Sequence, residues 1–288
     1  MYAAIDFGIS NTDGIACLDG GWRRWTQPSK GRPDPGLVRD ILAAGGIEMA
    51  SLQRLAVTGG QHKLLPERID GCPLVAVNEV TAIGRGGQAL AGLAAEDDEP
   101  ILVVSAGSGT AVVAAQGGKY AHVTGTAVGG GTLLGLSRLL LHTVDHDEID
   151  SLARQGDPNG ADLSLGDVVT GPIGNLPADT TAANFGRLAR EDVAVGREDL
   201  AAALVTMVGQ TIALIAINAA RAQGVERIEI IGHLIDMPSM QGVVERVGDL
   251  YGIPFTFPAD SGYGTALGAL LITADETLNY ASTDGVKQ

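Results

Sequence analysis

Two glycine-containing turns carry the residues best suited to chemistry. In the first, Asp6, Gly8 and Ser10 recur at every second position, with Asn11 next, where an apolar run ends. Glycine lets a backbone approach a phosphate and aim its N–H groups at it, and a carboxylate on the preceding strand, here Asp6, can hold Mg2+, usually through water. In the second, about one hundred residues on, Gly107, Ser108, Gly109 and Thr110 supply the same geometry. Two such hairpins can clamp a triphosphate tail from both sides. A third segment, Thr124-Gly125-Thr126-Ala127-Val128-Gly129-Gly130-Gly131-Thr132, runs into a helical pattern. Three successive glycines before a helix N-terminus offer close ligand approach, with the dipole and free N–H groups favouring anions. His142, Asp145, His146, Asp147 and Glu148 have the composition of a metal cluster, but they trail from a helix end into a loop and read as a solvated face.

Short strands must position these turns. Residues 2–7, 15–18 and 22–25 read as strands joined by turn residues, a β-meander. A helix is expected over 35–44, where Leu37, Ile41 and Leu42 share a face and Gly45-Gly46 stops it. A buried strand over 54–57 ends in Thr58-Gly59-Gly60; a further strand spans 73–77 and a helix 78–95. After the acidic run Glu96-Asp97-Asp98-Glu99-Pro100 the opening repeats: IDFGISNTDGIACLDGG and VVSAGSGTAVVAAQGG share strand, Gly-rich turn, strand and Gly-Gly turn. Internal duplication explains this layout. It predicts an α/β chain of two lobes, 1–98 and 99–288. The second lobe should hold helices from about Gly131, over 200–222, 240–250 and 263–272, and strands over 228–231 and 254–257. Residues 200–222 are apolar on several sides, as in a helix buried in a core or at a dimer seam. The tail 281–288 is polar and reads as frayed.

Composition excludes several classes. Of 288 residues 45% are hydrophobic and 18% charged, far from a disordered balance. Acidic residues outnumber Lys and Arg by 34 to 19, a formal charge of -15, so nucleic acid and anionic membranes are not expected partners. Cys17 and Cys72 cannot build a disulfide framework and read as small buried hydrophobes, which favours a reducing cytoplasm. Polar or glycine interruptions are expected to keep every hydrophobic run too short to span a bilayer. Glycine, at 41 residues, is about twice its usual share of roughly 7%.

The segments VTGTAVGGGTLLGLSRLL at 123–140, LPADTTAANFG at 176–186, IEIIGHLID at 228–236 and SGYGTALGALL at 261–271, with VNEVTAIGRGG at 77–87, carry a family likeness. In this order, over nearly the whole chain, they resemble the type II pantothenate kinases of the actin and hexokinase superfamily. The resemblance implies a duplicated actin/hexokinase-like ATPase fold with a nucleotide cleft between its lobes. It also implies phosphorylation of a primary hydroxyl of pantothenate by ATP with Mg2+, early in coenzyme A synthesis, by a homodimer. Glu79 matches the family's catalytic glutamate, a general base for the acceptor hydroxyl; the bland alternative is a carboxylate favourable to a helix dipole. By the same likeness Thr124, Gly125, Thr126 and Arg85 face the acceptor, His122 holds a catalytic position, and Gly232 and His233 lie near the adenosine. His233 reads equally as a structural histidine. Thr180 or Thr181 is expected to cap a helix over 182–189.

Three positions depart from the family pattern. Its first turn has a second glycine and then a lysine that reaches the phosphates, where this chain has Ile9 and Asp13. A carboxylate cannot replace an ammonium, so Arg85, Lys119 or another cation must compensate, or phosphate binding is rearranged. Just before Val123 the family has an arginine and this chain His122, which cannot form a permanent bidentate clamp on a carboxylate. These departures open two alternatives: a kinase for an uncharged relative such as pantetheine or another small alcohol, and a catalytically lapsed ATP-binding protein. The opening IDFGISNTDG is also similar to activators of acyl-CoA dehydratases, but two scattered cysteines do not supply their iron–sulfur ligands.

Overall fold

The computed structural model describes residues 1–18, 21–169, 176–192 and 194–274. The tail over 281–288 lies outside the described residues. The first half runs β1 (Tyr2–Phe7), β2 (Asn11–Leu18), β3 (Gly21–Pro28), α1 (Pro35–Ala44), β4 (Arg54–Gly59), β5 (Arg68–Ile69), β6 (Cys72–Ala76) and α2 (Glu79–Leu90). The second opens with β7 (Ile101–Ala106), β8 (Thr110–Gln116), β9 (Lys119–Thr126), α3 (Gly130–Leu140) and α4 (His146–Ala153). It continues through β10 (Leu163–Ser164), α5 (Leu165–Val168), β11 (Thr181–Ala183), α6 (Gly186–Arg190) and α7 (Arg197–Gln223). It closes with β12 (Arg227–Ile231), α8 (Pro238–Tyr251), β13 (Phe255–Thr256) and α9 (Gly264–Thr273).

The duplication read from the turns is a duplication of topology. The first sheet has the order β3-β2-β1-β4-β6-β5 and the second β13-β12-β7-β8-β9, so β3-β2-β1-β4-β6 and β9-β8-β7-β12-β13 are the same arrangement. In each, an antiparallel meander is extended by parallel strands on the far side of its first strand. β1 and β7 are therefore central and covered on both faces, which is why Ala3-Ala4-Ile5 and Ile101-Leu102-Val103-Val104 are unbroken apolar runs with almost no exposure.

Each half lends its last helix to the other. Ile83 of α2 packs with Ile101, Val103, Val113 and Ile231 of the second sheet. Ala266, Leu267, Ala269 and Leu270 of α9 pack with Ala4, Ile15 and Ala56 of the first. The two helices cross in contact where glycine is the only residue that fits: a Cβ at Gly86 would meet the Gly264 carbonyl oxygen, and one at Gly268 the Ala82 carbonyl oxygen.

α7, 27 residues long, is enclosed by α8, α4 and α3 and anchors the largest core through Leu204, Val208, Ile212 and Ala216. Its most apolar stretch is long enough by composition and length to cross a membrane, contrary to the expected interruptions, and most of that stretch is buried inside the protein.

Two local expectations are corrected. The acidic stretch at 145–148 opens helix α4 instead of forming a loop: Asp145 caps it by accepting from the Glu148 N–H at 2.9 Å, with Ile149 and Ala153 buried below. These residues are exposed, and among the described residues no group of three or more His, Cys, Asp or Glu is placed to hold a metal. Thr181 lies in strand β11 and its hydroxyl faces the Asp162 carboxylate, so it caps no helix; the helix starts at Gly186.

The crossing of α2 and α9 generates a test. Gly268→Ala is expected to lower unfolding free energy by about 1–3 kcal/mol, because the added methyl meets backbone that cannot move aside. Gly242→Ala, in α8 with open space around the position, is expected to raise it by about 0.5–1 kcal/mol through helix propensity. Chemical denaturation of both variants decides the matter.

Candidate active site

The two glycine turns meet. The β1–β2 turn and the β7–β8 turn face each other from the two sheets, with Ser10 Oγ 2.8 Å from Ser108 Oγ. Between and beneath them lies a cavity of about 360 Å³, a size typical of small-molecule sites. Asp6, Gly8, Ser10 and Asn11 line it from the first half, and Gly107, Ser108, Gly109 and Thr110 from the second. Glu79, Thr126, Gly130, Gly232 and His233 complete the expected residues that it gathers.

The remaining expected residues lie outside that lining. Arg85 turns away, its Nη1 donating to the Leu93 carbonyl at 3.2 Å; burial lowers its pKa, and Tyr120, Glu96 and Asp97 offset that effect. His122, Thr124 and Gly125 sit along β9, paired with Val113, Val112 and Ala111 of β8. Lys119 pairs with Gln116 at the far end of the same ladder. The Gly129 to Gly131 run has a different use from the one its composition implies. The Gly130 N–H donates to the Gly107 carbonyl at 2.8 Å and the Gly131 N–H to the Ser108 carbonyl at 2.9 Å. A Cβ at Gly129 would stand 2.9 Å from the Gly107 oxygen. These glycines let the head of α3 brace the second hairpin, and two of its first N–H groups are committed to that brace. Thr132 completes it by donating to Ala127 O at 3.3 Å.

Strand ends set the other side chains. Gly59 ends β4 at φ 81° and lies against the Asp6 carboxylate, where a Cβ would collide with it. Asn78 caps α2, its Oδ1 accepting from the Val80 N–H at 2.9 Å, and so places Glu79 as the first helical residue, exposed toward the cavity. Gly232 follows β12 at φ 107°, pressed against the Ala106 carbonyl, and turns His233 into the cleft.

The electrostatics are those of crowded acids facing one fixed cation. Asp6 and Asp13 are paired across β1 and β2. Burial, then Asp13 and Glu79, push the Asp6 carboxyl up to about 8, with His233 pulling the other way. His233 Nε2 lies 2.9 Å from Asp13 Oδ1, and Nδ1 2.8 Å from Asp236 Oδ2. Burial alone would lower the pKa of that ring, but the two carboxylates prevail and hold it at about 10. Thr26 donates to the same Asp13 oxygen at 2.6 Å and stands 3.1 Å from the Tyr263 hydroxyl. This cluster, which joins residues 220 positions apart, had no signature in the spacing of the sequence.

The donor set suits a metal–nucleotide complex. A magnesium ion takes one or two protein carboxylates and draws its other oxygens from water and phosphates. Asp6 offers a carboxyl that no hydrogen-bond donor caps among the described residues, and its proton is labile near neutrality.

The architecture defines the class: an α/β protein with the actin/hexokinase-like ATPase fold. The activator of the 2-hydroxyisocaproyl-CoA dehydratase from Clostridium difficile, solved with bound ADPNP, superposes with a TM-score of 0.60 at 15% identity, covering 94% of this chain and 93% of that one. A ROK-family glucokinase from Streptomyces griseus, in complex with glucose and AMPPNP, does so with a TM-score of 0.57 at 12% identity, covering 94% and 98%. At such identities the likeness is one of fold. Sequence is more specific. The Fumble family model matches residues 87–271. The type II pantothenate kinase of Oceanobacillus iheyensis is 31% identical over 219 residues, 75% of this chain and 80% of that protein. The one from Bacillus anthracis is 26% identical over 227 residues, 78% and 82%. The chain belongs to the Fumble family, that of the type II pantothenate kinases.

Asp6 generates a pH test. Its carboxyl is protonated in the folded protein and ionised in the unfolded chain at every pH between 3.8 and about 8. Its contribution to stability therefore falls as pH rises through that window. Asp6→Asn is expected to match the wild-type melting temperature near pH 4 and to exceed it by several degrees at pH 8, at roughly 2–4 °C per kcal/mol. The melts are run without nucleotide or metal. His233 adds a separate loss above pH 6.5 that ends at about 10, and the variant keeps it.

Proposed function

We propose that the chain is an ATP- and Mg2+-dependent kinase that phosphorylates a primary hydroxyl of pantothenate or a close relative on the route to coenzyme A. The observation that carries this reading is the convergence of Glu79 and both glycine hairpins on one cavity, in a chain that belongs to a pantothenate kinase family. Backbone N–H groups around residues 8–11 and 107–110 orient the phosphates. Asp6 takes the metal side of the site. The metal, when bound, neutralises charge on the phosphoryl group in flight. Glu79 accepts the proton of the acceptor hydroxyl as that oxygen attacks; its place at the head of α2, held by the Asn78 cap, fixes the direction from which the acceptor enters. The contact between Ser10 and Ser108 supports a cleft that closes over the phosphates and excludes water.

One observation favours a narrower acceptor. Among the described residues no Lys or Arg lines this cavity, and His122 and Arg85 stand outside it, so no described side chain there holds the carboxylate of pantothenate in a bidentate grip. An uncharged relative such as pantetheine, or another small alcohol, fits this lining better. A homodimer in the cytoplasm belongs to the same reading.

Steady-state ADP release with pantothenate, pantetheine and a panel of primary alcohols tests both points. Turnover is expected, with kcat/KM higher for pantetheine than for pantothenate, and Glu79→Gln is expected to lower kcat by about 10²–10⁴-fold. Retained turnover in that variant removes Glu79 as base, and a strong preference for pantothenate removes the uncharged acceptor. Nucleotide binding with no turnover on any acceptor identifies a lapsed ATP-binding protein.

A further inference from the structure

Asp13 directs a carboxylate at a cavity read here as the seat of a polyphosphate, and a bare carboxylate there would repel that ligand. The carboxylate is not bare. His233 reaches it from the opposite sheet, with Nε2 2.9 Å from Asp13 Oδ1, while Nδ1 lies 2.8 Å from Asp236 Oδ2. A carboxylate on each ring nitrogen requires a hydrogen on each, so the ring is an imidazolium. It is also fixed in place. A Cβ at Gly262 would run into the ring, and Tyr263 packs edge-on to it at 5.5 Å between centroids and 82° between planes. Among the described residues the other charged or titratable groups at this cavity are Asp6 and Glu79, both acids, and His146 at the head of α4. Both N–H groups of His233 are committed to carboxylates, so its influence on a ligand is exerted through charge and not through a hydrogen bond to it.

We propose that His233 is a positioning residue of the nucleotide site: a fixed imidazolium that cancels the charge of Asp13 across the cleft, so that the anionic tail of a nucleoside di- or triphosphate can settle between the two hairpins. The pair thereby removes the repulsion that a lone carboxylate at position 13 would exert on that tail. This rests on the reading of the cavity as a metal–nucleotide site. If the bond between Asp13 and His233 merely tied the lobes together, breaking it from either side would have the same effect on ligand binding. As a charge-cancelling pair, its two members have opposite effects.

Isothermal titration of ADP with Mg2+ into the wild type, His233→Gln, Asp13→Asn and the double variant separates these cases. His233→Gln is expected to weaken ADP about tenfold or more by leaving Asp13 uncompensated. Asp13→Asn is expected to bind ADP as tightly as the wild type or more tightly. The double variant, which lacks both partners of the bond, is expected to return to within about twofold of the wild type. Equal weakening in both single variants and in the double overturns the proposal. If His233→Gln does not fold, Asp13→Asn and the double variant decide: Asp13→Asn at or above wild-type affinity, with the double variant within about twofold of the wild type, supports charge cancellation, and weakening of ADP by Asp13→Asn itself overturns it. A wild type that binds no ADP overturns the nucleotide reading together with this one, whereas a wild type that binds ADP but shows the symmetric pattern overturns the pairing alone.

Discussion

The close crossing of α2 and α9 is the constraint on which the rest of the molecule depends. Each of these helices closes its own half of the chain and packs on the other half's sheet, so the cleft between the sheets exists at the width the crossing permits. Gly86 and Gly268 set that width, since a side chain at either would occupy the backbone of the opposite helix. A methylene inserted there has no flexible neighbour to displace, in contrast to an ordinary core position where side chains can shift. α2 also carries Glu79 at its head, and the short 3-10 turn Ser261–Tyr263 that leads into α9 carries Tyr263 against His233. The packing that joins the halves thus also aims two groups of the cleft.

Within that frame, charge decides what the cleft can accept. The protein carries a formal charge of -15, and Asp6, Asp13 and Glu79 add three acids at the cavity itself. An anion that enters meets backbone N–H groups, a cation that enters with it, and His233. Burial, and after it the neighbouring acids, hold the Asp6 proton up to about 8, which lowers the repulsion at the cavity.

Much of the fold was legible because its signals are local. The strands announced themselves as apolar runs ending in glycine, the layout of one half could be laid over the other, and Pro35–Ala44 is a helix with the bounds its spacing predicts. α4 is hidden in the sequence because its run of exposed acids and histidines has the polarity of a loop, although Asp145 three residues before Glu148 is a capping pattern with buried Ile149 and Ala153 following it. Thr181 lies on a strand and not at a helix start; a hydroxyl in either place looks alike in sequence. The glycines at 129–131 mark a close approach, as their type implies, but the approaching group is the protein's own hairpin. Composition identifies that something comes near and not what it is.

The cation facing Asp13 illustrates a deeper limit. A substitution of lysine by aspartate at a phosphate-facing position looks disabling when each position is weighed alone, and Arg85 or Lys119 looks like the nearest remedy by distance along the chain. Neither lines the cavity: Arg85 donates to the Leu93 carbonyl, and Lys119 pairs with Gln116. The compensating group is His233, which can face Asp13 because the duplicated topology brings the β1–β2 hairpin opposite the end of β12, so that a strand near the N-terminus and a strand near the C-terminus share one cavity. A direct lysine would present a flexible ammonium to the ligand. The pair instead sets an imidazolium against Asp13 and offsets its charge at the cavity wall, so recognition there shifts from a side-chain charge to the backbone of the hairpins and to whatever metal accompanies the anion.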